Sequence, residues 1–297
     1  MVGLKLNIGA ILFLLLSTFE VAQAEPQYII HPAWSPDGET IAFYQRKASH
    51  SPIRAVDTDD LSTRMVTDGM TFDANPSFSP TGAQLVFSRA APDMQGNWDI
   101  VTMDLATGAV GNLTQTIERE MHPQWSPDGK KISFVRFTDG QSDVFVIDLA
   151  SGSETNITKT PDAREFHPKW RPDSAALVFD RSTTTGITII EIELESGNQR
   201  ALVTADKDER VSTPSYAPDA RSVLVSRSQG SKDGIWNISM DGLSETAIFR
   251  IGDNQRAGGP VYSPDGSRIA FHVATDDRYS LYVVNADGTN LKPVVDK

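Results

Sequence analysis

Three short segments of this 297-residue chain repeat one arrangement of chemically capable side chains. Asp73-Ala-Asn75, Glu120-Met-His122 and Glu165-Phe-His167 each place a carboxylate two residues ahead of an amide or imidazole, with a proline next. His31 adds a fourth polar group, in front of Pro32. Carboxylates and imidazoles together suit a divalent metal such as manganese or zinc, with His122, His167, Glu120 and Glu165 as candidate ligands. The same pairing could act as acid and base in a proton abstraction. A plainer role weighs more. A residue before proline is pushed toward extended backbone, and a polar side chain there satisfies neighbouring backbone groups.

Arginine forms a second series, eleven residues after an aromatic residue that recurs through the chain: Arg89, Arg136, Arg181 and Arg227, with Gln45 and Val273 in the first and last copies. A guanidinium beside a carboxylate could recognise a ligand carboxylate or peptide terminus bidentately. The favoured alternative is an ion pair between neighbouring repeats that fixes their register. No nucleophile motif is present, so no residue is assigned a catalytic role.

The element that must position these groups occurs six times: HPAWSPDG from His31, NPSFSPTG from Asn75, HPQWSPDG from His122, HPKWRPDS from His167, TPSYAPDA from Thr213 and GPVYSPDG from Gly259. The aromatic anchors Trp34, Phe78, Trp125, Trp170, Tyr216 and Tyr262 are spaced by 44, 47, 45, 46 and 46 residues. A period of this length marks an array or a closed propeller. Within each copy, the proline-to-aromatic segment reads as a short strand and Ser-Pro-Asp-Gly as the turn leaving it. A second strand follows, such as Ile132-Ser-Phe134, apolar on both faces as a strand between neighbouring sheets must be. A third alternates, as in Val144 to Ile147, and a brief fourth ends the copy. Four strands per copy, six copies and no helical period predict an all-β, six-bladed propeller of four-stranded antiparallel blades over residues 25–297, closed without a strand exchanged from the N-terminus.

Residues 1–24 read as a signal peptide. Lys5 precedes the apolar run Ile8 to Leu16, and Ala22-Gln23-Ala24 fits cleavage after Ala24. Nine apolar residues are too few to span a bilayer. A periplasmic or secreted location follows, at most peripheral to a membrane. There is no Cys, hence no disulfide. The net charge of −12 repels phosphate backbones, and no basic-aromatic stripe appears, which argues against nucleic acid. Asp99 and Asp143, heading third strands, read as architectural. Asn112, Asn156 and Asn237 match glycosylation sequons through strand composition alone. Trp98 is the best candidate for an exposed aromatic contact, with Trp236 behind it.

The repeated aromatic-Ser-Pro-Asp-Gly motif with its following Ile-Ala-Phe strand resembles the WD40-like repeat of the TolB-type β-propellers, across residues 31–297. That resemblance implies a rigid ring that binds a protein or peptide at one face of its channel. The same repeat occurs beside hydrolase domains in prolyl-oligopeptidase-like enzymes, but no Gly-x-Ser-x-Gly elbow is found. The expectation is therefore an exported, monomeric, non-enzymatic scaffold. Its channel mouth would carry His31, Asp73, Asn75, Glu120, His122, Glu165, His167, Arg89, Arg136, Arg181 and Arg227. No cofactor is required, and a divalent cation in the channel is the one candidate. The alternative is a metal-dependent lyase on acidic sugars, with Arg89, Arg136 and Arg181 binding uronate carboxylates.

Overall fold

The computed structural model describes residues 28–46, 50–90, 97–205, 209–228, 233–252, 254–275 and 278–296. The expected signal peptide and most of the connection after Ala90 lie outside them. The described residues form strands and no helix.

The strands follow in runs of four. The first run is β1 (Tyr28–Trp34), β2 (Thr40–Arg46), β3 (Ile53–Asp57) and β4 (Thr63–Met65). Then come β5 (Phe72–Phe78), β6 (Gln84–Ala90), β7 (Trp98–Asp104) and β8 (Val110–Asn112), and β9 (Arg119–Trp125), β10 (Lys131–Thr138), β11 (Gln141–Asp148) and β12 (Glu154–Asn156). Next are β13 (Arg164–Trp170), β14 (Ala176–Thr183), β15 (Gly186–Glu193) and β16 (Gln199–Thr204), and β17 (Arg210–Tyr216), β18 (Ser222–Ser228), β19 (Gly234–Ser239) and β20 (Glu245–Arg250). The last run is β21 (Arg256–Tyr262), β22 (Arg268–Ala274), β23 (Tyr279–Asn285) and β24 (Lys292–Val295).

Within each run, neighbours pair antiparallel in sequence order. The first, fifth and last runs are separate four-stranded sheets, while β5 to β16 join into one twelve-stranded sheet. The joins are single parallel bridges, Trp98 with Arg119 and Ser142 with Arg164. Tyr28–Ile30 pair with β2, inside the first run, and β24 is the outer partner of β23.

The Ser-Pro-Asp-Gly turns are held by their own side chains. Ser35 Oγ donates to Asp37 Oδ1 at 2.5 Å and accepts from the Thr40 amide at 3.0 Å, while Asp37 Oδ1 accepts from the Glu39 amide. The pattern recurs at Ser126 with Asp128 and Ser263 with Asp265. Gly38 takes a φ of 75°, which glycine adopts at no steric cost. Where glycine is missing, Ser174 and Ala220 adopt 62° and 57° in its place.

The second strands carry the core. Phe43, Phe87, Phe134, Phe179 and Phe271 are among the largest fully buried side chains, each worth roughly 1.5–3 kcal/mol of burial. Core clusters cross between runs. Val178 and Ile189 pack with Tyr216 and Val223, and Ile29 and Trp34 of the first run pack with Val261, Leu281 and Val295 of the last.

Every first strand slips register at the pre-proline residue and its proline, a bulge in the ladder with β2 or its counterpart. The pre-proline residues are left-handed, not extended as the sequence suggests: φ is 53° at His31, 56° at Asn75, 58° at His122, 53° at His167, 51° at Thr213 and 61° at Gly259. Proline has no N–H to lose from the ladder, so a bulge is tolerated there. For the non-glycine residues the conformation costs about 1–2 kcal/mol each. The bulge turns these side chains out of the pleat and toward one another.

Candidate functional site

All six pre-proline residues line a single narrow cavity of about 20 Å³. Residues up to 228 positions apart in sequence thus converge through one repeated backbone irregularity. The rings of His122 and His167 have centroids 4.4 Å apart, and His31 stands 5.4 Å from each. Their ligating nitrogens all lie within 4.8 Å of one another.

His167 is fixed from behind. Its Nδ1 lies 2.8 Å from Asp180 Oδ1 on β14, a buried carboxylate that also accepts the Thr213 amide at 3.3 Å. With Nδ1 as donor, Nε2 is left as an acceptor. In the neighbouring run, Thr213 Oγ1 shares a hydrogen bond with Ser226 Oγ and accepts one from the Gly259 amide. Asn75 lines the cavity too. It is 3% exposed, and neither its amide nitrogen nor its oxygen has a partner among the described residues.

A fourth imidazole comes from a different position. His272, on the second strand β22, has its ring centroid 6.1 Å from that of His31, and its Nδ1 is buried without a partner. It fits because Gly258 and Gly259 leave the space. A Cβ on Gly258 would lie 2.9 Å from the His272 ring. Burial first, then repulsion from His167, His272 and Lys169, holds His31 well below the ordinary histidine range. Burial, then His167 and His31, does the same at His122. Burial, then His167, lowers His272 to about 4. Each of these shifts favours the neutral imidazole, the form that offers a lone pair.

A wider space adjoins this cavity. The six aromatic anchors and the turn prolines Pro127, Pro172, Pro218 and Pro264 line an opening of about 500 Å³, and Gln124 and Lys169 line both spaces. Lys169 Nζ donates to Gln124 Oε1 at 2.9 Å, and burial lowers its pKa to about 8.

The acids of the sequence pattern are not part of the imidazole cluster. Asp73 receives Arg89 through two bonds, Nε at 2.8 Å and Nη2 at 3.0 Å. Arg136 Nε donates to Glu120 at 2.7 Å, and Arg181 Nε to Glu165 at 2.8 Å. All three carboxylates are fully buried, and burial pushes Glu120 and Glu165 up while their arginines and nearby threonines oppose it. Of the expected set of His122, His167, Glu120 and Glu165, the two histidines meet in the cluster together with His31, whereas the two acids are paired with arginines. The ion pairs are also within one run, between residues directly opposite in register, rather than between repeats. Arg227 faces Val211 instead of an acid and reaches Glu209 and Glu245.

Asp99 and Asp143 are architectural, accepting from the side-chain amides of Asn112 and Asn156. Trp98 is half-buried, with the Arg119 guanidinium over its ring at 5.9 Å. Trp236 is buried in a core cluster, which corrects its reading as an exposed aromatic.

Sequence reasoning misses His272, Asp180, Lys169 and Gln124. The signal lies at two offsets of the repeat. Ten residues after the anchor the chain places Tyr44, Ser88, Val135, Asp180, Ser226 and His272, and one residue before it Ala33, Ser77, Gln124, Lys169, Ser215 and Val261. Both columns change polarity from copy to copy, beside the constant proline and aromatic residues on either side of the second column and the apolar residue that precedes the first.

Among known proteins, the family model described as the TolB beta propeller domain matches residues 18–257. The Tol-Pal system protein TolB of Gluconobacter oxydans is 31% identical over 108 residues, 36% of this chain and 23% of that protein. The chain spans about a fifth of the length of the curated relatives it matches. A solved structure of a putative TolB from Agrobacterium tumefaciens shares the fold with a TM-score of 0.72 at 20% identity, covering 83% of this chain and 89% of that one. An oligogalacturonate lyase in complex with manganese shares it with a TM-score of 0.57 at 16% identity, covering 91% and 74%.

Proposed function

The chain belongs to the TolB β-propeller family, and we propose that it closes six four-stranded blades into a ring that acts outside the cytoplasm as a binding scaffold for a protein or peptide. The observation that carries this reading is how the polar groups are used. The carboxylates and guanidiniums best suited to catalysis, Asp73, Glu120, Glu165 and their arginines, are tied to each other inside the sheets. The channel keeps imidazoles, amides and one amine at the floor of a wide aromatic opening. An opening of that kind suits an inserted peptide segment, with Lys169 and Gln124 as hydrogen-bond partners for its polar end.

A photo-crosslinking residue at Pro127 or Pro172, on the wide opening, tests it in cells. The expected result is one discrete crosslinked partner that disappears when Lys169 and Gln124 become Met and Leu. The same pattern of crosslinks from a residue on the outer edge, such as Thr155, would overturn the reading.

A second reading, a metal-dependent lyase on acidic sugars, draws on the three converging imidazoles. It would require Arg89, Arg136 and Arg181 to leave buried carboxylates in order to bind uronates, which is unfavourable. Manganese-dependent cleavage of oligogalacturonate by the purified protein would favour it over the scaffold.

A further inference from the structure

We propose that His31, His122 and His167 form a transition-metal site at the narrow end of the channel, with zinc as the ion that fits the donor set. The inference stands independently of what the wide opening binds.

Three imidazoles from three different runs meet with their ligating atoms within 4.8 Å. Tetrahedral zinc with nitrogen at about 2.0–2.1 Å sets ligand nitrogens about 3.4 Å apart, so ring rotations that bring nitrogens now within 4.8 Å closer by about 1.4 Å at most complete the triangle. The cavity that they help line, about 20 Å³, has room for a water-sized group, which fits three protein ligands and an open fourth position.

Three further features point the same way. His167 already has the support that metal-bound histidines use, with Nδ1 on the buried Asp180 carboxylate and Nε2 left for an ion. The left-handed backbone at His31, His122 and His167 is adopted without glycine, although Gly259 shows that the bulge accepts glycine. Such conformations persist where a side chain has to be aimed. The Asn75 amide and His272 Nδ1, both buried and unpartnered, line or adjoin the same cavity, and either could hydrogen-bond a water on the fourth position. Among the described residues, no free carboxylate faces the cluster, since Asp180 sits behind His167 and Glu120 and Glu165 are paired with arginines. Calcium and magnesium, which need oxygen donors, are therefore disfavoured.

The test uses untagged purified protein stripped with a chelator and titrated with Zn²⁺ alone and Co²⁺ alone, by calorimetry and by visible absorption. The expected result is one ion per chain, intense tetrahedral cobalt bands bleached by zinc, and no response to Ca²⁺ or Mg²⁺. His31→Ala, His122→Ala and His167→Ala should each weaken binding at least a hundredfold. Asp180→Asn should weaken it roughly 10–100-fold while leaving one ion per chain. His50→Ala, which alters the one histidine outside the channel group, should bind as the parent does. Should an alanine variant fail to fold, His31→Asn and His122→Asn keep a polar side chain that suits the left-handed backbone. No zinc or cobalt binding by the folded parent protein would overturn the proposal. So would affinity unchanged in folded His31 and His122 variants.

Discussion

Glu165 and Arg181 face each other directly across β13 and β14, with Arg181 Nε 2.8 Å from a carboxylate that is sealed from solvent. Removing one partner of a buried pair strands the other charge and costs about 3–5 kcal/mol. Arg181 retains Gln199 and some exposure, so Glu165→Gln is expected at the lower end, about 3 kcal/mol by the same scale. Urea melts check this. Because the pair lies outside the imidazole cluster, folded Glu165→Gln should bind channel ligands as the parent does.

The turn aspartates predict an acid limit. Ser263 and Ser267 hydroxyls and the Ser267 amide hold Asp265 at about 2, and Ser35 and the Glu39 amide lower Asp37. A carboxylate depressed in the folded state contributes stability that is fully present above its unfolded pKa near 3.9 and lost as pH falls through the folded value. Thermal melts should therefore weaken between about pH 4 and 2. Asp265→Ala should show a shallower slope in that window; an unchanged slope would count against the turn as the source.

Asn75 carries two costs, a left-handed backbone and an unpartnered buried amide. Glycine removes both and adds only its greater freedom in the unfolded chain, about 0.5–1 kcal/mol. Asn75→Gly is expected to stabilise the protein by about 1 kcal/mol, read as a rise in melting temperature.

The tryptophan anchors should differ among themselves. Trp170 Nε1 donates to the Gln124 carbonyl at 3.1 Å and Trp34 Nε1 to that of Val261 at 3.3 Å, whereas Trp125 Nε1 is buried with no partner among the described residues. Trp34→Phe and Trp170→Phe should each lose about 1 kcal/mol more than Trp125→Phe. Equal losses at all three would mean that the indole bonds contribute nothing measurable.

The repeat makes the strands readable because every copy repeats one turn and one buried apolar row, so errors in one copy are corrected by the other five. The site is read only in part. His31, Asn75, His122 and His167 stand out because they vary at a fixed position before proline. His272 does not, since its copy has Gly259 at that position and brings the imidazole from the opposite strand into the space two glycines leave. The acids beside Asn75, His122 and His167 mislead for a geometric reason. Two residues apart in a regular strand, they would share a face with their partners, but the bulge sends the pre-proline side chain into the channel while the acid stays in the ladder opposite an arginine. The left-handed backbone is likewise hidden, because local sterics before proline favour extended backbone and only the packing around the channel overrides them.

The contact between the first and last runs is made by an anchor indole on the neighbouring run's carbonyl, a guanidinium over that indole and a shared apolar cluster. Ile29 and Val295 belong to that one cluster, so the first and last described strands are close in space. Where the backbone is interrupted is then nearly immaterial to the architecture. A short linker joining these strands, with new ends opened at the link between β16 and β17, should give a circular permutant that keeps the fold, the imidazole cluster and most of the stability.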